Sequence, residues 1–168
     1  MSDFKEIRPA EITGNVFDLI GRQWMLITAG DKSSGYNTMT ASWGGLGVLW
    51  KGPVAFCFVR PQRHTFKFIE RNDCFSLSFY DEKYRSALEF CGTKSGRDYD
   101  KAKETGLTPV FGDEAVYFGE AKLVLICKKL YTGTFDPSKF LEQDIESNYP
   151  AKDYHKAYIG AVKKVLTK

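Results

Sequence analysis

The sequence is poor in the patterns on which most self-contained catalytic chemistries are built. Only two histidines occur, His64 and His155, and no carboxylates stand at ligand spacing around them, so no metal site is visible. The four cysteines, at positions 57, 74, 91 and 127, contain no CxxC pair. Cys57, Cys74 and Cys127 lie in apolar runs, where a thiol behaves as a small buried hydrophobe, which favours reduced thiols and a cytoplasmic setting. There is no GxSxG elbow, no thiol-protease signature and no P-loop. Gly44-Gly45-Leu46-Gly47 comes nearest to a dinucleotide loop, but Gly52-Pro53 arrives before the long helix such a loop must open. Charge of one sign is also missing. Lys and Arg number 24 against 21 Asp and Glu, and a net +3 is too weak for a surface that tracks nucleic-acid phosphates. The local surplus at Lys163, Lys164 and Lys168 reads as a solvated terminal face. The N-terminus lacks a basic start with an apolar stretch, and no run reaches the length of a membrane span, so neither nucleic acid nor a membrane is expected as a partner.

What the chain has is aromatic side chains, 15% of its residues, together with 15 glycines. Large flat residues beside many turns suggest a β-rich body with an apolar cleft. No low-complexity linker or internal repeat divides residues 1–168, so one domain is expected. Strands are predicted at 24–29, 38–43, 54–59 and 74–79, as a long ribbon over 115–131, and at 155–166. Gly44 to Pro53 reads as a loop. Thr65 is the expected N-cap of a short helix ending at Arg71; a second helix is expected from Asp81 to Phe90 with Gly92 as its left-handed cap, and a third from Asp98 to before Gly106. Residues 135–154 read as irregular. The fold class is therefore α+β, mainly β: an antiparallel barrel of six strands with short inserted helices.

Three polar segments carry unusual chemistry. Asn37-Thr38-Met39-Thr40-Ala41-Ser42-Trp43 places four hydrogen-bonding side chains on an apparent strand, with Ala41, Gly44 and Gly45 leaving room for close approach to the backbone. The segment suits a strand that meets a ligand, and equally a polar edge strand. Arg60-Pro61-Gln62-Arg63-His64-Thr65 leads from a buried strand into a helix; two guanidinium groups, a hydroxyl and helix N-terminal amides match a phosphate dianion. Cys91-Gly92-Thr93-Lys94-Ser95-Gly96-Arg97, followed by Lys101, offers charge and hydroxyls in a glycine-marked loop, which could cover a phosphate or simply link two helices.

In this order, NTMTASWGG, VAFCFVRPQRHT, CGTKSGRDYDK and DYHKAYIG resemble the flavin reductase-like family, and most of all its flavoredoxin-type branch, over about residues 12–166. The resemblance implies a homodimer of six-stranded split β-barrels of Greek-key type, with FMN near the subunit interface. It would place Asn37, Thr38, Met39, Thr40, Ala41, Ser42 and Trp43 along the flavin and ribityl chain, and Arg60, Arg63, His64 and Thr65 toward the phosphate. Cys91, Gly92, Ser95 and Gly96 would match the family's glycine loop, with Lys101 as a phosphate partner. Tyr154, His155 and Tyr158 would lie near the flavin or the dimer contact, and Trp43 and Trp50 are candidates for flanking the ring and equally for the barrel core or dimer interface. Ala161 stands where relatives often carry an acid. The implied activity is an NAD(P)H-dependent flavin reductase, with NADH or NADPH as donor, no catalytic side chain and no metal, since the cofactor carries the redox step. The alternatives are an electron-transfer protein reduced by a protein partner and a non-enzymatic FMN-binding module.

Overall fold

The computed structural model describes residues 3–168. Ten strands and three short α-helices follow one another: β1 (Lys5–Ile7), β2 (Met25–Asp31), β3 (Gly35–Ala41), β4 (Gly44–Leu49), β5 (Gly52–Val59), α1 (His64–Arg71), β6 (Cys74–Phe79), α2 (Arg85–Thr93), α3 (Lys101–Thr105), β7 (Pro109–Phe111), β8 (Val116–Phe118), β9 (Leu123–Thr134) and β10 (Lys156–Thr167). The main sheet is antiparallel and runs β3-β2-β6-β9-β10-β5-β4, with β1 on the free half of β10. Its first and last strands, β3 and β4, are joined by Ser42 and Trp43 alone. A two-residue link cannot span a flat sheet of this width, so the sheet must curl into a barrel that is split between β3 and β4.

The β-dominated class matches the expectation, but the strand count is ten rather than six. The 44–53 segment is not a loop: β4 pairs with β5 from Gly44–Cys57 to Leu49–Gly52. Trp50 and Lys51 form the connecting turn with φ of 49° and 64°, the left-handed pair that a two-residue hairpin demands, supplied here without Asn or Gly at either position. The 115–131 ribbon is broken into β8 and β9, and β8 pairs with β7 in a separate small sheet. The hairpin between β2 and β3 is as expected, its loop held by the Asp31 carboxylate, which accepts from the amides of Ser33 and Ser34, each at 2.7 Å.

Alternation along β5 buries Val54, Ala55, Cys57 and Val59 but leaves Phe56 and Phe58 half-buried, so the run is not covered on both faces. Phe58 turns to the cleft described below. Phe75, Phe79 and Phe118 are fully buried, as their strand positions imply. Tyr158 is fully buried as well; its hydroxyl donates to Glu70 at 2.8 Å, tying β10 to α1, so its side chain faces neither a cleft nor solvent. Trp50, at the hairpin tip, is 60% exposed. All four cysteines are free thiols. Among the described residues no helix is long and apolar enough to cross a membrane.

β10 bends where its register against β9 shifts between Ile159 and Gly160. A Cβ on Gly160 would stand 2.8 Å from the Phe75 ring and 2.9 Å from the Cys127 Cβ, both in the closed core. Gly160→Val should therefore destabilise the fold by about 2–4 kcal/mol through overpacking. Urea denaturation provides the measurement, with Gly52→Ala as the control: nothing lies within 4 Å of that position, and its change should stay within about 0.5 kcal/mol.

Candidate functional site

The split between the sheet ends opens a cleft of about 370 Å³, lined by residues 39–43 of the β3 end and link, and by Phe58, Arg60, Gln62, Arg63 and His155. A smaller cavity of about 160 Å³ adjoins it, lined by Met39, residues 62–65, residues 93–97 and Lys101. Met39, Gln62 and Arg63 belong to both walls, so the two form one continuous site.

β3 is an edge strand of this sheet, with β2 on one side only. The Thr38 carbonyl accepts from Lys101 at 2.8 Å and so points away from β2. Period-two alternation then turns the N–H and C=O groups of Thr40 to the same free edge, beside the cleft that Ser42 also lines. The Thr38 hydroxyl is buried and meets Thr28 at 2.8 Å, so Thr38 serves the site through its backbone. Asn37 is buried, and its amide donates to the Thr65 hydroxyl at 2.8 Å, which joins β3 to the start of α1.

The smaller cavity is basic. Helix α1 begins at His64 with Arg63 in the cap position and no side-chain cap. Thr65, expected as the cap, lies inside the first turn with its hydroxyl engaged by Asn37. The helix therefore presents amides toward a cavity walled by Arg63, Lys94, Arg97 and Lys101. Arg63 donates to the Gly92 carbonyl at 2.8 Å and Arg97 to the Gln62 carbonyl at 3.1 Å, so both guanidiniums bridge facing segments. Lys101 is almost fully buried and donates to the carbonyls of Thr38 and Cys91 at 2.8 and 2.7 Å. Burial lowers its pKa to about 8, which records the cost of holding an ammonium without a carboxylate partner. The Cys91 thiol is itself buried, so Cys91 acts through its carbonyl.

Two cap expectations are corrected here. α2 starts at Arg85 after a 3-10 turn at Glu82–Tyr84 and runs through Gly92, because the Lys94 amide still reaches the Phe90 carbonyl at 2.9 Å. α3 is capped by Asp100, not Asp98: its carboxylate accepts from the Lys103 amide at 3.2 Å. Gly96 has no room for a side chain, since a Cβ would lie 1.9 Å from the Asn37 Oδ1.

The opposite wall of the larger cleft comes from the segment before β10. His155 packs against Trp43 at 5.2 Å between ring centres, and its Nδ1 lies 2.8 Å from the Tyr149 hydroxyl. Arg60 pairs with Asp153 at 2.9 Å, donates to the Asn148 carbonyl at 2.8 Å and covers the Tyr149 ring at 5.0 Å. Arg60 is therefore tied to this wall by its own contacts while still lining the cleft. Burial, then the Arg60 charge, pushes the His155 pKa down to about 4, so its imidazole is neutral near pH 7. Tyr154 turns outward to Glu146 at 2.9 Å and does not line the cleft.

The Flavin reductase like domain family matches residues 17–167. The chain belongs to the flavin reductase-like family. Among solved structures, this flavin reductase-like protein resembles the flavoredoxin of Desulfovibrio vulgaris, with a TM-score of 0.68 and 24% identity, covering 86% of this chain and 69% of the other. An FMN-binding domain of a flavin reductases-like enzyme from Shewanella baltica gives a TM-score of 0.69 at 15% identity, over 99% and 78% of the two chains. An NADH:FAD oxidoreductase of Streptomyces globisporus, solved with NAD and FAD fragments, gives 0.63 at 15% identity, over 87% and 75%. No curated protein sequence matches the chain.

The three sequence segments thus meet at one site in this flavin reductase-like protein. Met39 to Trp43, Arg60, Arg63, His64, Thr65, Ser95, Gly96 and Lys101 line the joined cavities, whereas Asn37, Thr38 and Cys91 buttress them from behind. Gly92 lines a shallower recess that continues from Thr40, Ser42 and Arg63 toward Trp24 and Glu89. Sequence reasoning missed Phe58. For Phe58 the signal was present, because it is out of phase with the buried Cys57 and Val59.

The neutral His155 makes stability depend on pH. Its folded pKa lies below the ordinary value of about 6.5, so the unfolded chain binds the extra proton, and stability is lost as pH falls from about 6.5 toward 4. In urea titrations at pH 7.0 and 4.5, the wild type should lose roughly 1–3 kcal/mol more than His155→Gln. Equal losses would place the acid sensitivity elsewhere.

Proposed function

We propose that this flavin reductase-like protein is a single-domain FMN-binding NAD(P)H-dependent flavin reductase. One observation carries the reading: a cleft walled by an edge strand on one side and by Phe58 and His155 on the other opens directly into a smaller pocket of four cationic side chains. A flat heteroaromatic ring with a phosphate-terminated chain has this shape and charge distribution. The donor set fits FMN. The helix amides, the Lys101 ammonium and the Arg63 and Arg97 guanidiniums would hold the phosphate, and the Thr40 backbone and Ser42 would meet the ring's polar edge.

When bound, the flavin supplies the acceptance of hydride from a nicotinamide and the later release of electrons. The chain's own residues bind and orient. Arg63, shared by both cavities, is anchored to Gly92 and so fixes the position of the phosphate-bearing end relative to the ring cleft. Trp43, 46% exposed, and His155 form a wall against which a planar donor can pack. His155, held by Tyr149, is itself uncharged near pH 7. A homodimer is proposed with this function: an apolar groove of about 630 Å³ lies between residues 8–16 and the β4–β5 hairpin, where Val48 is 78% exposed. Four free cysteines suit a reducing compartment such as the cytoplasm.

The purified protein, or the protein mixed with FMN, should show a flavin visible spectrum, and anaerobic stopped-flow mixing with NADH or NADPH should bleach it. Bleaching by neither nucleotide, with FMN bound, would favour an electron-transfer protein served by a protein donor. Arg63→Ala should weaken FMN binding about tenfold or more, while loss of its bond to Gly92 lowers stability by only about 1 kcal/mol. Unchanged affinity in a flavin fluorescence titration would remove Arg63 from the site.

A further inference from the structure

His64 lines the basic cavity with a ring nitrogen that nothing satisfies. Its Nδ1 is shielded from solvent and has no hydrogen-bond partner, although the residue lines the same wall as Arg63, Arg97 and Lys101. The ring cannot turn away freely, since it packs edge-on against Phe68 at 5.3 Å between ring centres. A shielded ring nitrogen without a partner is costly unless an incoming group meets it.

The strongest charges acting on this imidazole have one sign. Lys67 and Arg71 come from its own helix, and Arg97 and Lys101 come from the facing loop and from α3. The strand beneath contributes Asn37, Thr38 and Met39, none of which titrates. Burial and these four cations hold the His64 pKa below its ordinary value, so the ring is neutral at pH 7 while the pocket is empty. A phosphate monoester would bring about two negative charges into this cavity beside the ring and offset much of that repulsion. The neutral ring would then gain a proton, and with it a second N–H and a charge-assisted bond to the anion.

We propose that His64 is a proton-coupled recognition residue for the phosphate monoester: FMN binding draws one proton from solvent onto the His64 imidazole. The proposal rests on the FMN reading above. It makes flavin retention sensitive to pH through a residue remote from the ring cleft, with affinity falling as pH rises. The sign follows from linkage, because a complex that holds more protons than its free components is weakened by raising pH.

Isothermal titration calorimetry of the full chain with FMN at pH 7.0, in buffers of different ionisation enthalpy, tests this directly. Two other titrations nearly cancel at that pH: Lys101, at about 8, is already ~90% charged, and the FMN phosphate, with a second pKa of ~6, is already ~90% dianionic. The wild type should take up about 0.5–0.9 proton, and its FMN affinity should fall about fivefold from pH 6.5 to 7.5. His64→Asn, which keeps a polar group at the position but does not titrate there, should bind FMN with uptake of about 0.2 proton or less. Buffer-independent binding enthalpy in the wild type overturns the proposal, as does undiminished uptake in His64→Asn. Failure of the wild type to bind FMN at any pH overturns the FMN reading itself and is distinguishable from both.

Discussion

The joining of the two ends of one sheet by Ser42 and Trp43 is the constraint on which the rest depends. Because β3 and β4 sit at opposite ends of the strand order, the sheet can form only by curling, and its antiparallel pairs bury Ile27, Leu77 and Leu125 inside the curl. The same link leaves β3 with an unpaired edge. In most proteins an unpaired edge is a liability for aggregation; here α1, α2 and the Lys101 ammonium stand over part of it, and a ligand cleft occupies the rest.

Lys101 connects this fold to its chemistry. Its ammonium grips Thr38 on the edge strand and Cys91 on α2, two segments that no backbone ladder joins. A buried ammonium between carbonyls is an expensive fastener, as its depressed pKa of about 8 shows. Its placement becomes intelligible if the positive charge is needed by an anion in the adjoining cavity. Asn37, bonded to Thr65 and pressed against Gly96, performs the neutral part of the same task. The site is thus assembled from three distant segments, each held by a polar side chain that belongs to another.

Much of this was readable along the chain. The apolar strands at Met25, Val54 and Cys74 and the polar runs beginning at Asn37, Arg60 and Cys91 announce themselves by period and by residue type. What was not readable had local reasons. β4 is glycine-rich and its turn uses Trp50 and Lys51 in a left-handed conformation, so propensity pointed to a loop while pairing with β5 made a strand. Tyr158 resembled a ligand contact by its position in a motif, yet the pleat turns it inward onto Glu70. Thr65 resembled a cap by residue type, yet Asn37 claims its hydroxyl.

The sequence by itself determined the β-rich class, the absence of a nucleophile or metal donor pattern, and which segments carry polar chemistry, because these follow from composition and short-range periodicity. Only the tertiary structure decided that these segments share one site, that Thr38 and Cys91 contribute carbonyls rather than side chains, and that His64 and His155 are both held neutral in different walls of it. Those outcomes depend on desolvation and on charges brought together from residues far apart in the chain, quantities that no local window contains.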